Sequence, residues 1–141
     1  MGRSPPNGSR TAVLQTALAR RILVLDGAMA TMIQAHGLAE EDFRGEEYRD
    51  QPDALFGAND LLCVTQPHLI HEIHHAYLEA GSDIIETNTF GANRIKLEAH
   101  SLDHQLDMIN RQGVILAQQA RKASGRKVWI AGAVGPIGKP L

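Results

Sequence analysis

Apolar positions recur along this chain in two rhythms. Val13, Leu14, Ala17 and Leu18 stand at the spacing of one helix face, so residues 11–20 read as a short amphipathic helix. Ile22-Leu23-Val24-Leu25 is instead a continuous apolar run ending at Asp26-Gly27. A run apolar on both faces is expected of a buried strand in a parallel sheet. Residues 28–35 fit a short helix closed by Gly37. Thr65-Gln66-Pro67 predicts a helix start, a capping residue followed by proline in the first turn. That helix runs to Ala80 and stops at Gly81. Asp83 to Phe90 reads as a second strand with a polar exit, and residues 92–99 and 103–123 read as helices, the latter ended near Gly125. Val128 to Val134 is a third buried strand, leaving through Gly135-Pro136.

Strands alternating with helices build a parallel sheet. The strand exits, Asp26-Gly27, Thr87-Asn88-Thr89 and Gly135-Pro136, then share one face, where ligands bind in such folds. A closed barrel of eight units needs about 250 residues. The expectation is therefore an α/β chain forming a partial (β/α)8 TIM barrel: its first three βα units, a leading helix and an acidic insertion. The insertion is residues 38–60, which hold Glu40, Glu41, Asp42, Glu46, Glu47, Asp50, Asp53 and Asp60 against Arg44 and Arg49. It reads as a long surface excursion, not a core element.

Charge and cysteine content narrow the function class. The net charge of −2 argues against a general nucleic-acid binder. The single cysteine excludes an intramolecular disulfide framework and a self-contained cysteine-rich zinc site. No apolar run has the length of a membrane span, so a soluble, cytoplasmic setting is expected. The first 21 residues carry Arg3, Arg10, Arg20 and Arg21 and no acid. Residues 1–10 read as a disordered tail; a transit peptide shares that composition.

His71-Glu72-Ile73-His74-His75 satisfies the H-E-x-x-H zinc-protease pattern. Its context argues against that chemistry. At about 100° per residue, Leu69, Ile70, Ile73, Ala76, Tyr77 and Ala80 form an apolar arc, and His68, His71, Glu72, His75 and Glu79 lie opposite it. The extended protease form fails as well, because Leu78 stands where glycine belongs. A solvated helix face is the better reading. Cys63 and Trp129 read as core residues. Asp26 is more informative. It ends a buried strand at the ligand face, and it could also cap the helix that follows.

Three of these stretches resemble the homocysteine S-methyltransferase family: residues 22–29, with Leu25-Asp26-Gly27-Ala28; residues 80–90, with Glu86-Thr87-Asn88-Thr89-Phe90; and residues 131–136, with Val134-Gly135-Pro136. The insertion, at residues 41–46 and 59–62, is similar to that of the cobalamin-dependent methionine synthases, which shorter members lack. The departures are small: Ala28 stands where glycine is frequent, and Gly91-Ala92 falls where members vary. The resemblance implies a barrel that binds homocysteine through zinc on three cysteines, with methylcobalamin as methyl donor. It further implies modules for methyltetrahydrofolate, cobalamin and S-adenosylmethionine. Those cysteines and modules have no counterpart here. The chain is thus expected to be the N-terminal piece of such a domain, residues 11–141, and inactive alone. A cobalamin-independent relative and a non-catalytic partial-barrel binding module are the competing readings. The resemblance assigns Asp26 to the substrate ammonium. It places Gly27, Asn88, Thr89 and Phe90 around the same pocket, and backbone amides near Gly135 at the substrate carboxylate.

Overall fold

The computed structural model describes residues 9–138. Of the tail expected over residues 1–10, residues 1–8 lie outside the described residues. Arg10 already opens the first helix, α1 (Arg10–Leu18), and Ser9 caps it, its hydroxyl accepting the Ala12 amide at 3.2 Å.

The fold is α/β with a small parallel sheet. Strand β1 (Ile84–Glu86) pairs in parallel with β2 (Trp129–Ala131), Ile85 opposite Ile130. The first apolar run adds a single parallel bridge, Leu25 to Ile84. It is extended by the Asp26 amide on Ile84 O at 2.9 Å and the Ile84 amide on Val24 O at 3.1 Å. The order across the sheet is residues 24–26, β1, β2. All three segments are shorter than the apolar runs suggested. Their ends are not buried either: Ile22 is 87% and Val134 is 90% exposed. An apolar run is buried on both faces only where neighbours cover it. Among the described residues, the first run has β1 on one side and no strand on the other.

The remaining α-helices are α2 (Met29–Gln34), α3 (Glu40–Arg44), α4 (Leu62–Thr65), α5 (Pro67–Glu79), α6 (Arg94–Glu98) and α7 (Leu106–Ser124), with 3-10 turns at Asn59–Leu61 and Asp103–Gln105. Helices α5 and α7 pack together, with Ile70 and Ile73 of α5 and Ile109 and Leu116 of α7 in one buried cluster. A smaller cluster of Leu78, Ile85, Ala117, Ala120 and Val128 lies under the sheet. Pro67 opens α5 as expected, but Thr65 ends α4 and does not cap α5. Gly81 stops the chain after α5 at φ +107°, a conformation that favours glycine. Arg126 holds that turn by donating to the carbonyls of Leu78, Gly81 and Ser82. Arg21 grips Asp83 through two hydrogen bonds of 2.7 Å, and Asp83 accepts the Val24 amide at 3.0 Å. The Arg21 guanidinium holds the Asp83 carboxyl well below the usual carboxylate range. The first run is thereby fixed to the start of β1.

Three expectations are corrected. The insertion is part of the core: Phe43, Tyr48, Leu55 and Ala58 are buried in the main cluster. Its charges serve the backbone. Glu40 accepts the amides of Leu55 at 2.9 Å and Phe56 at 2.7 Å, while Arg44 pairs with Glu40 and donates to the carbonyls of Tyr48, Gln51 and Asp53. The buried arc of α5 is rotated from the expected one. It includes His74 and Leu78 and leaves Ala76 and Ala80 exposed, because α7 packs on that side. Trp129 is half-buried, not core, and lines a shallow groove with Val13, Ala17 and Arg21.

Candidate functional site

The exits of the first run and of β1 open into a cleft of about 480 Å³. Its floor is Asp26-Gly27-Ala28 and Glu86-Thr87. Met29 opens α2 on one side. Phe90, Lys96 and His100 stand on another, and Asn59 and Asp60, from the end of the insertion, close a third.

Asp26 is the least satisfied group there. Its Oδ2 accepts the Glu86 amide at 3.0 Å. Its Oδ1 is buried and has no hydrogen-bond partner. Burial pushes its pKa up to about 6, against the lowering effect of the Glu86 amide; the Glu86 charge also raises it. Asp26 does not cap the following helix, whose N-cap is Ala28 without a side-chain bond. A half-buried carboxylate that lines a cleft and keeps one oxygen unpartnered is suited to receive a cationic donor.

Other residues singled out in the sequence support this cleft from beside it. Asn88 is buried, and its Nδ2 donates to Asn59 O at 2.8 Å, joining the β1 exit to the insertion. Thr89 and Thr87 share a 2.7 Å hydroxyl bond. Thr89 also donates to Ala133 O at 2.9 Å, and the Ala133 amide donates to Thr87 at 3.1 Å. This staple ties the exits of β1 and β2 together. Phe90 does line the cleft, 57% exposed. The Gly135 amide is used by Phe90 O at 2.9 Å and is not directed at the cleft. A Cβ at 135 would meet that carbonyl and stand 2.8 Å from the Phe90 ring, so only glycine fits this approach. The structure thus brings Asp26, Gly27 and Phe90 to the cleft and sets Asn88, Thr89 and Gly135 behind it.

Sequence reasoning missed Asp60, Glu86 and Lys96. Asp60 accepts the Gly91 amide at 2.9 Å, and burial raises its pKa. The Lys96 ammonium lies 5.2 Å from the centre of the Phe90 ring. Only Asp60 carried a local signal, a polar pair immediately before the buried Leu61-Leu62. The H-E-x-x-H residues form no site. His68, Glu72 and Glu79 are exposed, and the rings of His71 and His75 stack at 6.3 Å.

A family model described as homocysteine S-methyltransferase matches residues 23–141. The chain belongs to the homocysteine S-methyltransferase family. Two crystal structures of the homocysteine methyltransferase MmuM from Escherichia coli share its fold. The metallated form matches with TM-score 0.67 and 30% identity, over 89% of this chain and 42% of that one. The oxidized form matches with TM-score 0.68 and 31% identity, over 89% and 41%. The chain therefore spans about two-fifths of the length of these relatives.

The zinc that the family resemblance implies does not fit the residues described. The sole cysteine, Cys63, is fully buried in the core, and its thiol donates to Asn88 O at 3.4 Å. Burial pushes its pKa up to about 12. Zinc binds the thiolate, and Cys63 is held as a thiol in the core, outside the lining of the cleft. Among the described residues no group of three or more His, Cys, Asp or Glu side chains could hold a metal ion. No helix among them is long and apolar enough to cross a membrane.

Proposed function

We propose that this chain supplies the amino-acid end of a homocysteine pocket in a methyltransferase of the methionine synthase type. The observation that carries it is the unpartnered Oδ1 of Asp26, buried at the floor of the cleft. An ammonium in the cleft, met by a turn of the Asp26 carboxylate, satisfies that oxygen and favours the ionised form. Gly27 leaves room beside it, and Phe90 and Met29 give apolar walls to the methylene stem. Asn88, Thr87 and Thr89 act by holding the two strand exits in register. The three parallel segments correspond, in this reading, to the first three strands of a (β/α)8 barrel.

Methylcobalamin is our proposed methyl donor, supported by the resemblance of the insertion to that of the cobalamin-dependent enzymes. The insertion's burial and its gift of Asn59 and Asp60 to the cleft make it integral to the site. The likeness to MmuM favours a second reading, a cobalamin-independent homocysteine methyltransferase. Joining this chain to the cysteine-bearing remainder of a family domain and offering methylcobalamin or S-methylmethionine separates the two. The 141-residue chain, with its single buried cysteine, should give no methionine from either donor even with zinc added.

Calorimetry of L-homocysteine binding to the chain tests the pocket itself. Asp26→Asn removes the charge of one charge-assisted hydrogen bond, about 1.5–3 kcal/mol, and affinity should fall about tenfold to a hundredfold. Equal affinity of the two proteins would remove Asp26 from the site.

A further inference from the structure

We propose that Lys96 receives the α-carboxylate of the amino-acid substrate, in the same cleft that Asp26 lines. This rests on the homocysteine reading above and deepens it. The cleft is acidic: Asp26, Asp60 and Glu86 all line it. A homocysteine zwitterion brings one positive and one negative group into that field. The ammonium is answered by Asp26, whereas the carboxylate would meet repulsion unless a cation stood nearby. Lys96 is the one lysine or arginine among the lining residues.

Its placement is built into the fold. The Asn93 side chain accepts the Lys96 amide at 3.0 Å and so fixes the start of α6, while the next residue, Leu97, is buried in the main cluster. The ammonium lies over the Phe90 ring, within the range of a cation–π contact. Phe90 is itself pinned through its carbonyl by the Gly135 amide. Among the described residues the Lys96 ammonium forms no ion pair. The nearby acid Asp60 accepts the Gly91 amide through Oδ1 and feels the Lys96 charge, but it lies outside ion-pair distance of that ammonium. Lys96 is therefore a held cation with an open coordination side at the rim of a cleft whose floor attracts an ammonium. The residue acts by orienting substrate, so that the thiol end points away from both charged walls.

Two ligands separate this role from general electrostatics: L-homocysteine and 3-aminopropane-1-thiol, which keeps the thiol and the amine but lacks the carboxylate. Binding to the 141-residue chain is followed by NMR titration, and the amide spectrum also reports whether each variant folds. Lys96→Met should weaken homocysteine about tenfold and leave the aminothiol unchanged. Lys96→Arg should keep most of the affinity for homocysteine. Asp26→Asn should weaken both ligands. Equal loss of both ligands in Lys96→Met, or no loss of either, overturns the assignment of Lys96 while leaving the pocket standing. Failure of the unaltered chain to bind either thiol overturns the homocysteine reading, and Lys96 with it. Should Lys96→Met not fold, Lys96→Gln carries the same comparison.

Discussion

Gly113 should resist a substitution that helix propensity favours. It lies inside α7, where alanine is ordinarily better than glycine by about 1 kcal/mol. A Cβ at this position would stand 2.6 Å from Cγ2 of Thr89 and 3.6 Å from Sγ of Cys63. Thr89 cannot turn aside freely, because its hydroxyl is bonded to Thr87 at 2.7 Å and to Ala133 O at 2.9 Å. Overpacking of this kind costs about 1–3 kcal/mol. Set against the helix gain, Gly113→Ala should destabilise by about 1 kcal/mol. In a Thr89→Ser background the clashing methyl is gone, and the same substitution should become stabilising. Urea unfolding of the four proteins at low concentration gives the coupling directly. Stabilisation by Gly113→Ala in the presence of Thr89 would show that α7 does not press on the β1 exit as described.

Other consequences follow from groups away from the cleft. His74 is fully buried, neither ring nitrogen has a partner, and burial, then the charge of His71, lowers its pKa to about 4. Its folded pKa lies below the unfolded value of about 6.5, so stability is full above that value and is lost as pH falls toward 4; the total is about 3 kcal/mol. His74→Phe should flatten that acid limb in pH-dependent urea unfolding, and an unchanged limb would place the titrating group elsewhere. Arg44→Met removes the donor to three carbonyls of the insertion and should speed hydrogen exchange at residues 48–56 while sparing α7; uniform exchange changes would deny the insertion its own support. Ile22, Val24 and Val134, in the apolar runs that feed and leave the sheet, are exposed, so the 141-residue chain should self-associate with rising concentration; a concentration-independent monomer in sedimentation velocity would refute that.

Local chemistry made much of this legible in advance. Pro67, Gly81 and Gly125 mark helix ends because each imposes a backbone conformation that needs no distant partner. The apolar runs at Ile22–Leu25 and Val128–Val134 located the parallel segments, and Asp26-Gly27 located the cleft. Strand lengths were not legible, since a run apolar on both faces describes neighbours that must be supplied from elsewhere. The burial of the insertion was hidden by its acids: Glu40 is spent on two backbone amides, a use that composition does not reveal. His74 fell between two arcs in projection, and only the packing of α7 decides its side. Lys96 has no motif of its own; the fold brings it to the cleft that Asp26 lines.

The most direct measurement is the titration of the Asp26 carboxyl by carbon-detected NMR, with and without L-homocysteine. The free chain should show a midpoint of about 6, set by burial of a carboxylate with one unpartnered oxygen. Saturation with homocysteine should bring that midpoint down to about 4 or below, because an adjacent ammonium favours the charged form. By linkage, homocysteine binding should then weaken as pH falls through 6. A midpoint that stays near 6 with the ligand bound would mean that the ammonium sits elsewhere, and would contradict the central claim.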